Sequence, residues 1–213
     1  MPAANVTVTA TFKKVNLAVT KDEDIVETAG SVTVKNDKDV EITEAQVKDT
    51  INLTVTPQKG YQVTEVSYTY TKDGEEVKTT ITDPVNNVYT FPMPGYPVEV
   101  SAIFEPIEYN ITYMDGESKI ENLSPAKYTV KNEQITLPNA TKTGYDFKGW
   151  YDNAEFTGEA VTNLNPADAE DKTYYARFEI IEYTITYMDG NDQISGLSPS
   201  KYTVVDGTVT LDT

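Results

Sequence analysis

Apolar and polar residues alternate along most of this chain. In the stretch "VEVSAIF" (98–104), every second position is apolar, which is the pattern of a strand with one buried face. Similar stretches recur throughout, rich in Val, Ile, Thr and Tyr, and short runs of Gly, Pro, Asn and Asp separate them. The pattern predicts a β-dominated fold with little helix.

Local signals add detail to this pattern. We expect "SVTVKNDKDVEI" (31–42) to form strand, turn and strand, "KDGEE" (72–76) to be a hairpin turn, and "TGYDFKGWYD" (143–152) to be an aromatic strand. We expect "AKYTVKNEQITLP" (126–138) to form two short strands around a polar turn, and "KTYYARFE" (172–179) to close its unit.

Two segments carry helix signals. The segment 42–47 is either one helical turn, capped by Thr43, or a short loop. In the otherwise irregular stretch 153–171, Asn165 caps a possible helical turn and Pro166 suits its first position.

Two internal repeats organise the chain. The stretch "MPAANVTVTATF" (1–12) aligns without a gap with "MPGYPVEVSAIF" (93–104), at a spacing of 92 residues. The stretch "FEPIEYNITYMDG" from Phe104 returns as "FEIIEYTITYMDG" from Phe178, at a spacing of 74 residues. The sequence is therefore expected to be a window on a tandem array, cut inside a repeat at both ends.

These spacings predict four segments. Residues 1–13 are the terminal strand of a preceding repeat, and residues 14–105 are one complete β-rich repeat. Residues 106–179 are a second, shorter complete repeat. Residues 180–213 are the first half of a following repeat, and we expect this tail to be a weakly ordered hairpin or to lean on the preceding unit near Phe178–Tyr183.

The charge is acidic throughout, with 34 Asp and Glu against 17 Lys and Arg and a formal net charge of −17. With no basic patch in the sequence, neither nucleic acid nor an anionic membrane is an expected partner. The chain has no run of about 18 apolar residues, so we expect no membrane contact by this segment. An even acidic balance is typical of a solvated surface.

The chain contains neither Cys nor His. It therefore has no disulfide, no thiolate or imidazole metal ligand, and no histidine general base. We expect no cofactor.

A family resemblance follows from particular motifs. Leu137-Pro138, "GYDFKGWY" (144–151) and "YARF" (175–178) strongly resemble the Listeria–Bacteroides repeat, also called the internalin B-repeat. The chain departs from the family pattern at Ala140, where Pro is usual, and at Met114-Asp115-Gly116, where Asn and a Gly pair are frequent. "DTINLTVTPQKGY" (49–61) and "YTFPMPGYPVEVSAIF" (89–104) resemble a divergent bacterial version of the repeat.

The resemblance implies a β-grasp-like fold for 106–179 and a related β-rich module for 14–105. It also implies residence in a large, multi-repeat surface or secreted bacterial protein. In such proteins, these repeats form stalks between a binding domain and the cell envelope.

Some residues invite a functional hypothesis. Trp150, Tyr145 and Phe147 could stack on a sugar, but a lone Trp in a small β module is usually its core anchor. Asp22-Glu23-Asp24, Asp37/Asp39 and Asp168/Glu170/Asp171 could bind calcium, but none has the form of a calcium loop. A Lys–Asn isopeptide crosslink and a carboxylate pair for glycoside hydrolysis have the residue types and no specific pattern. We assign no catalytic, cofactor-binding or metal-binding residue.

The sequence thus predicts non-enzymatic spacer modules of an extracellular, adhesin-like bacterial protein, monomeric and in contact with neighbouring repeats of the same chain. The alternative is a module that binds a host protein or glycan through exposed aromatics. Exposure of the Tyr and Trp side chains distinguishes the two: Tyr61, Tyr68, Tyr70, Trp150 and Tyr151.

Overall fold

The computed structural model describes residues 14–23 and 27–212. The chain divides into two compact units between Ile107 and Glu108. Both units are built from short strands and loops, which confirms the predicted β-dominated fold. The predicted terminal strand at 1–13 lies outside the described residues.

The first unit packs one sheet of five strands against one of three. In chain order its strands are β1 (Asn16–Lys21), β2 (Gly30–Lys35), β3 (Glu44–Gln46), β4 (Thr50–Pro57), β5 (Tyr61–Lys72), β6 (Glu75–Thr80), β7 (Val88–Pro92) and β8 (Val98–Pro106). The larger sheet has the order β3-β1-β8-β5-β6, and the smaller has the order β2-β4-β7. Strands β1 and β8, the first and last of the unit, are parallel neighbours.

Alternating residues of both sheets form the core of the first unit. The larger sheet contributes Val19, Val66, Val98, Val100 and Ala102. The smaller sheet contributes Val32, Val34, Ile51, Leu53, Val55 and Phe91. Because successive side chains of a strand point to opposite faces, the period-two pattern of the sequence becomes one buried layer between two sheets.

The second unit has a smaller mixed sheet. Its strands are β9 (Tyr109–Asp115), β10 (Ser118–Lys119), β11 (Lys127–Tyr128), β12 (Ile135–Thr136), β13 (Tyr145–Tyr151), β14 (Asn163–Leu164) and β15 (Lys172–Ile180). The sheet has the order β10-β9-β15-β13, with β11 also on β9, while β12 pairs with β14. Its first and last long strands, β9 and β15, are again parallel neighbours.

The two units share a scaffold despite their different lengths. In each unit the terminal strand lies between the parallel first strand and an antiparallel strand that begins with a Tyr directly after a Gly, Gly60 or Gly144. The antiparallel pair has a register shift at the same place, between Val63 and Glu65 in one unit and between Phe147 and Gly149 in the other. The first unit therefore has the same three-strand arrangement as the second, together with a larger second sheet.

Only two residues separate the last strand of each complete repeat from the next strand. Strand β8 ends at Pro106 and β9 begins at Tyr109. Strand β15 ends at Ile180, and the next strand, β16 (Tyr183–Thr184), follows at the same spacing. The intervening Ile107 and Ile181 N–H groups donate to the Gly60 and Gly144 carbonyls at 2.8 and 2.9 Å.

The local predictions had mixed outcomes. A 3-10 helix at Pro166–Asp168, capped by the Asn165 side chain, confirms the turn expected there. The segment 42–47 forms neither the helical turn nor a plain loop, because β3 pairs with the edge of β1. Strands β11 and β12 form where two short strands were expected, but they pair with β9 and β14, not with each other.

The tail repeats the local structure of the preceding repeat without its burial. It contains β16, β17 (Tyr187–Asp189), β18 (Asp192–Ile194) and β19 (Lys201–Tyr202), in two antiparallel pairs. The Tyr187 hydroxyl donates to the Pro199 carbonyl, as Tyr113 does to Pro125. Yet Tyr202 is 39% exposed, whereas its counterpart Tyr128 is 2% exposed.

Candidate functional site

Trp150 is the central side chain of the second unit's core. It is 2% exposed, and its indole N–H donates to the Pro138 carbonyl at 2.5 Å. The rings of Tyr113 and Phe147 pack on it with centroids at 4.8 and 5.2 Å. With its polar atom bonded and its faces covered, Trp150 is a core anchor with no surface left for a sugar.

The tyrosines expected to discriminate between the two hypotheses form no open platform. Tyr151 is buried and packs edge-on against Phe156. Tyr61 is half-buried at the start of β5.

Tyr68 and Tyr70 belong to a row of four rings on the first unit. Phe91 lies face to face with Tyr68 at 4.2 Å between centroids, and Tyr70 stacks on Tyr96 at 5.3 Å. The Tyr68 and Tyr70 rings are nearly parallel to each other, with centroids 6.2 Å apart. Because neighbouring rings already cover these faces, the row packs the unit internally more than it offers stacking surface.

The acidic run at Asp168, Glu170 and Asp171 is divided between two structural roles. Lys172 Nζ lies 2.9 Å from an Asp168 oxygen and 2.6 Å from a Glu170 oxygen. Partial burial acts to lower the pKa of Lys172, but the hydrogen bonds that its ammonium donates to Glu170 and Asp168 raise it above its usual range. Asp171 instead accepts the backbone N–H of Asn110 at 2.7 Å.

The other acidic runs behave as surface groups where the structure describes them. Asp39 pairs with Lys35 at 2.7 Å. Asp22 and Glu23 lie after β1, and Asp24 lies outside the described residues. Within residues 14–23 and 27–212, no three acidic side chains come close enough together to hold a metal ion.

Lys142 lies beside a carboxylate and an aromatic ring in the second unit. Its Nζ lies 2.7 Å from an Asp115 carboxylate oxygen and 4.7 Å from the centre of the Tyr145 ring. Both side chains of the pair remain partly exposed, at 39% and 35%. The geometry is that of a solvated ion pair supported by an aromatic ring.

Shifted pKa values accompany structural contacts. Burial, with a smaller contribution from Tyr174, raises the pKa of Tyr113 to about 12, and burial also raises the pKa of Tyr174. A hydrogen bond from Lys78 is the main cause that lowers the pKa of the Glu65 carboxyl. A carboxylate held ionised in this way is a poor proton donor, so Glu65 does not suit general acid catalysis.

Several open hollows lie on the described surface of the units. One, of about 350 Å³, is lined by Val15, Leu17, Gln46 and Val47 near the start of the first unit. Another, of about 650 Å³, lies along residues 139–147 and Ile181 of the second unit. Neither of these two brings together the nucleophile, base and oxyanion donors of an active site.

The sequence did not predict the hydrogen bond between Asn110 and Asp171. The bond from Asn110 to Asp171 joins residues 61 positions apart, at the point where the parallel strands of the second unit meet. Asp171 stood in the sequence only as a member of an acidic run. No local pattern announces the partner of a side chain that bonds across such a separation.

Both units match families of known protein domains. Residues 109–177 match the Listeria-Bacteroides repeat domain, and residues 25–108 match the divergent InlB B-repeat domain. Both matches confirm the resemblance drawn from the sequence. These repeats are structural domains that occur in bacterial surface or secreted proteins.

One relative is a protein of Evansella cellulosilytica described as a Gly-rich membrane protein. It is 36% identical over 73 residues, which cover 32% of this chain and 8% of the relative. The chain therefore matches only a small part of that protein's length. No helix among the described residues is both long enough and apolar enough to cross a bilayer.

Proposed function

Because this chain belongs to the B-repeat families, with a divergent InlB B-repeat at 25–108 and a Listeria-Bacteroides repeat at 109–177, we propose that it is a spacer. It would hold apart other domains of a large, adhesin-like protein on a bacterial surface or secreted from the cell. It would do so without catalysing a reaction.

One observation carries the proposal: the first and last strands of each unit are parallel. A chain that enters at the start of the first strand and leaves at the end of a parallel last strand exits from the opposite end of the sheet. Each unit then adds its length to the path, roughly 30 Å for a terminal strand of nine residues. A hairpin-like unit would return the chain to its starting point and add none.

Short junctions support the same proposal. Only two residues separate a terminal strand from the next first strand, at 107–108 and again at 181–182. A backbone hydrogen bond to Gly60 or Gly144 holds the first residue of each junction. Little chain is left to coil between units, and a spacer needs that property to convert residues into length.

The acidic surface suits the same role. Both repeats carry excess acidic residues, within a net charge of −17. Like-charged segments repel each other and stay soluble, so neighbouring copies would remain separate at high surface density. The occupied faces of Tyr68, Tyr70 and Trp150 favour the spacer over the glycan-binding alternative.

Small-angle X-ray scattering tests the proposal. A compact chain of this length has an expected radius of gyration of ~17 Å. A spacer of consecutive units should give a clearly larger value, independent of protein concentration. A radius near the compact value would overturn the proposal.

A further inference from the structure

The strands that would carry tension through the second unit are hydrogen-bonded directly to each other. Strand β9 enters the repeat and β15 leaves it, and they pair in parallel from Ile111 with Lys172 to Met114 with Tyr175. A pull on the two ends of the repeat therefore draws these neighbouring strands in opposite directions along their own axes.

The direction of loading decides how the ladder fails. When two strands slide along each other, all the hydrogen bonds between them are loaded together and must break nearly at once. When two strands are peeled apart from one end, the bonds break one after another. The hydrogen bonds of a parallel ladder run between the strands, across the pull, so tension along the chain loads them in the first way.

Side chains reinforce this ladder on the core side. Tyr113 of β9 and Tyr174 of β15 are both buried, and Tyr113 packs against Trp150. Sliding β9 past β15 would drag these large rings through a closely packed interior, because such a core has no free space for them to enter.

Asp171 adds a hydrogen bond to the β9–β15 ladder near the start of β9, where the chain enters the repeat. Its carboxylate accepts the Asn110 backbone N–H at 2.7 Å and lies 3.4 Å from the Asn110 side-chain amide nitrogen. Asp171 directly precedes β15 and Asn110 is the second residue of β9, so this charge-assisted bond extends the strand pairing by one step.

We propose that the repeat at 109–180 is a mechanical clamp, in which the parallel β9–β15 ladder and the Asp171–Asn110 bond resist tension along the chain. This inference rests on the proposed spacer function, since a spacer on a surface under shear transmits force between its ends. It adds that the force needed to rupture the repeat depends on the direction of pulling, and not only on the free energy of unfolding.

Single-molecule pulling in two directions tests the clamp within the full chain. The chain has no native Cys, so a pair of introduced cysteines defines the attachment points under reducing conditions. Glu108→Cys with Glu182→Cys applies force across both ends of the ladder. Glu117→Cys with Arg177→Cys applies force to neighbouring strands at one end only, and all four positions are exposed.

We expect a rupture force several-fold higher for the 108/182 pair than for the 117/177 pair at the same loading rate. Chemical denaturation without force should give the same midpoint for both double variants, which controls for any loss of stability. Equal rupture forces in the two directions would overturn the clamp. Equal rupture forces would not contradict the spacer, which the scattering measurement tests separately. A compact radius of gyration would contradict the spacer and would not change the expected difference between the two pulling directions.

A matched pair of substitutions tests the role of Asp171. Asp171→Ala should lower the rupture force in the 108/182 direction. Asp146→Ala, which removes an exposed carboxylate of β13 that faces Lys148, should not. An unchanged rupture force in Asp171→Ala would overturn the part of the clamp assigned to that side chain.

Discussion

Trp150 and Val66 occupy the same place in two different cores. Each lies three residues after the last paired position before the register shift, opposite an alanine of the terminal strand, Ala176 or Ala102. Both are almost fully buried, at 2% and 1% exposure. The sequence predicted Trp150 as a core anchor because it is the lone Trp of a small β module. It gave no sign that Val66 is its equivalent, because the equivalence depends on the position of the bulge and not on the residue type.

Trp150→Ala should unfold the second unit and spare the first. Replacing a buried Trp by Ala typically costs ~3–5 kcal/mol, which is a large share of the stability of a small domain. Calorimetry of the full chain should show two transitions in the wild type and one in the variant. The reciprocal change Val66→Ala should lower the other transition. An unchanged profile for Trp150→Ala would mean that the side chain is not part of the core.

Gly149 is needed for both its backbone and the space beside it. It has φ +123°, and a Cβ built there would lie 2.8 Å from the Ala160 Cβ. Gly149→Ala should therefore cost about 1–3 kcal/mol from backbone strain, plus the cost of the contact. Gly158→Ala is a matched control, with φ +82° and nothing within 4 Å. If both variants shift the second transition equally, the contact with Ala160 contributes nothing.

At the scale of elements, the sequence predicted a structure that depends on a local cap, but it did not predict a structure that depends on pairing with a distant strand. Asn165 and Pro166 determine their own helical turn, because the cap bond to the Ala167 N–H is made within two residues. The segment 42–47 was ambiguous in the sequence, and the open edge of β1 resolved it into a strand. Pairing with an edge depends on residues about 28 positions away, beyond the reach of any local pattern.

The tail should be the least protected element of the second unit. Its Tyr202, Val204 and Leu211 side chains are 39%, 43% and 50% exposed, because the described tail has no counterpart of Trp150 or Tyr174 to pack against them. Val204 does lean on the preceding repeat, since a Cβ on Gly144 would lie 2.0 Å from its Cγ1. Amide hydrogen exchange should be much faster in 183–211 than in 109–178.

Adding a copy of the second half of the repeat after the tail tests why the tail is less protected from exchange than 109–178. Appending a second copy of residues 140–182 after Thr213 should bring the protection of the tail up to that of 109–178. The same extension with its Trp replaced by Ala is the control and should leave the tail poorly protected. Equal protection of 183–211 and 109–178 before any extension would show that the tail needs no such partner.

At the scale of the whole molecule, the sequence was most informative where it repeats itself. The 74-residue spacing and the shared "FExIEY" stretch pointed to tandem modules, and the structure has strand ends at the same positions in both copies. The spacing could not show that the first and last strands of each module pair in parallel. That pairing gives each unit its separated ends and carries both the spacer and the clamp proposals.

The monomeric state expected of the chain depends on how its open sheet edges are protected. Strand β6 is an edge of the five-stranded sheet, and it carries Glu75, Glu76 and Lys78. Lys78 reaches across to Glu65 of β5 at 2.6 Å. Charges on an exposed edge oppose pairing with the same edge of another copy, because pairing would remove water from these charged side chains.

Removing these charges should therefore make the chain self-associate. We expect the double variant Glu76→Val/Lys78→Val to form dimers or larger species in sedimentation velocity at concentrations where the parent chain is monomeric. Lys38→Val, in the exposed turn after β2, is the control for a lost charge away from any edge. If the double variant stays monomeric, the charges of β6 are not what keeps this edge unpaired, and its short length would be the remaining protection, since six residues offer few backbone groups to a second strand.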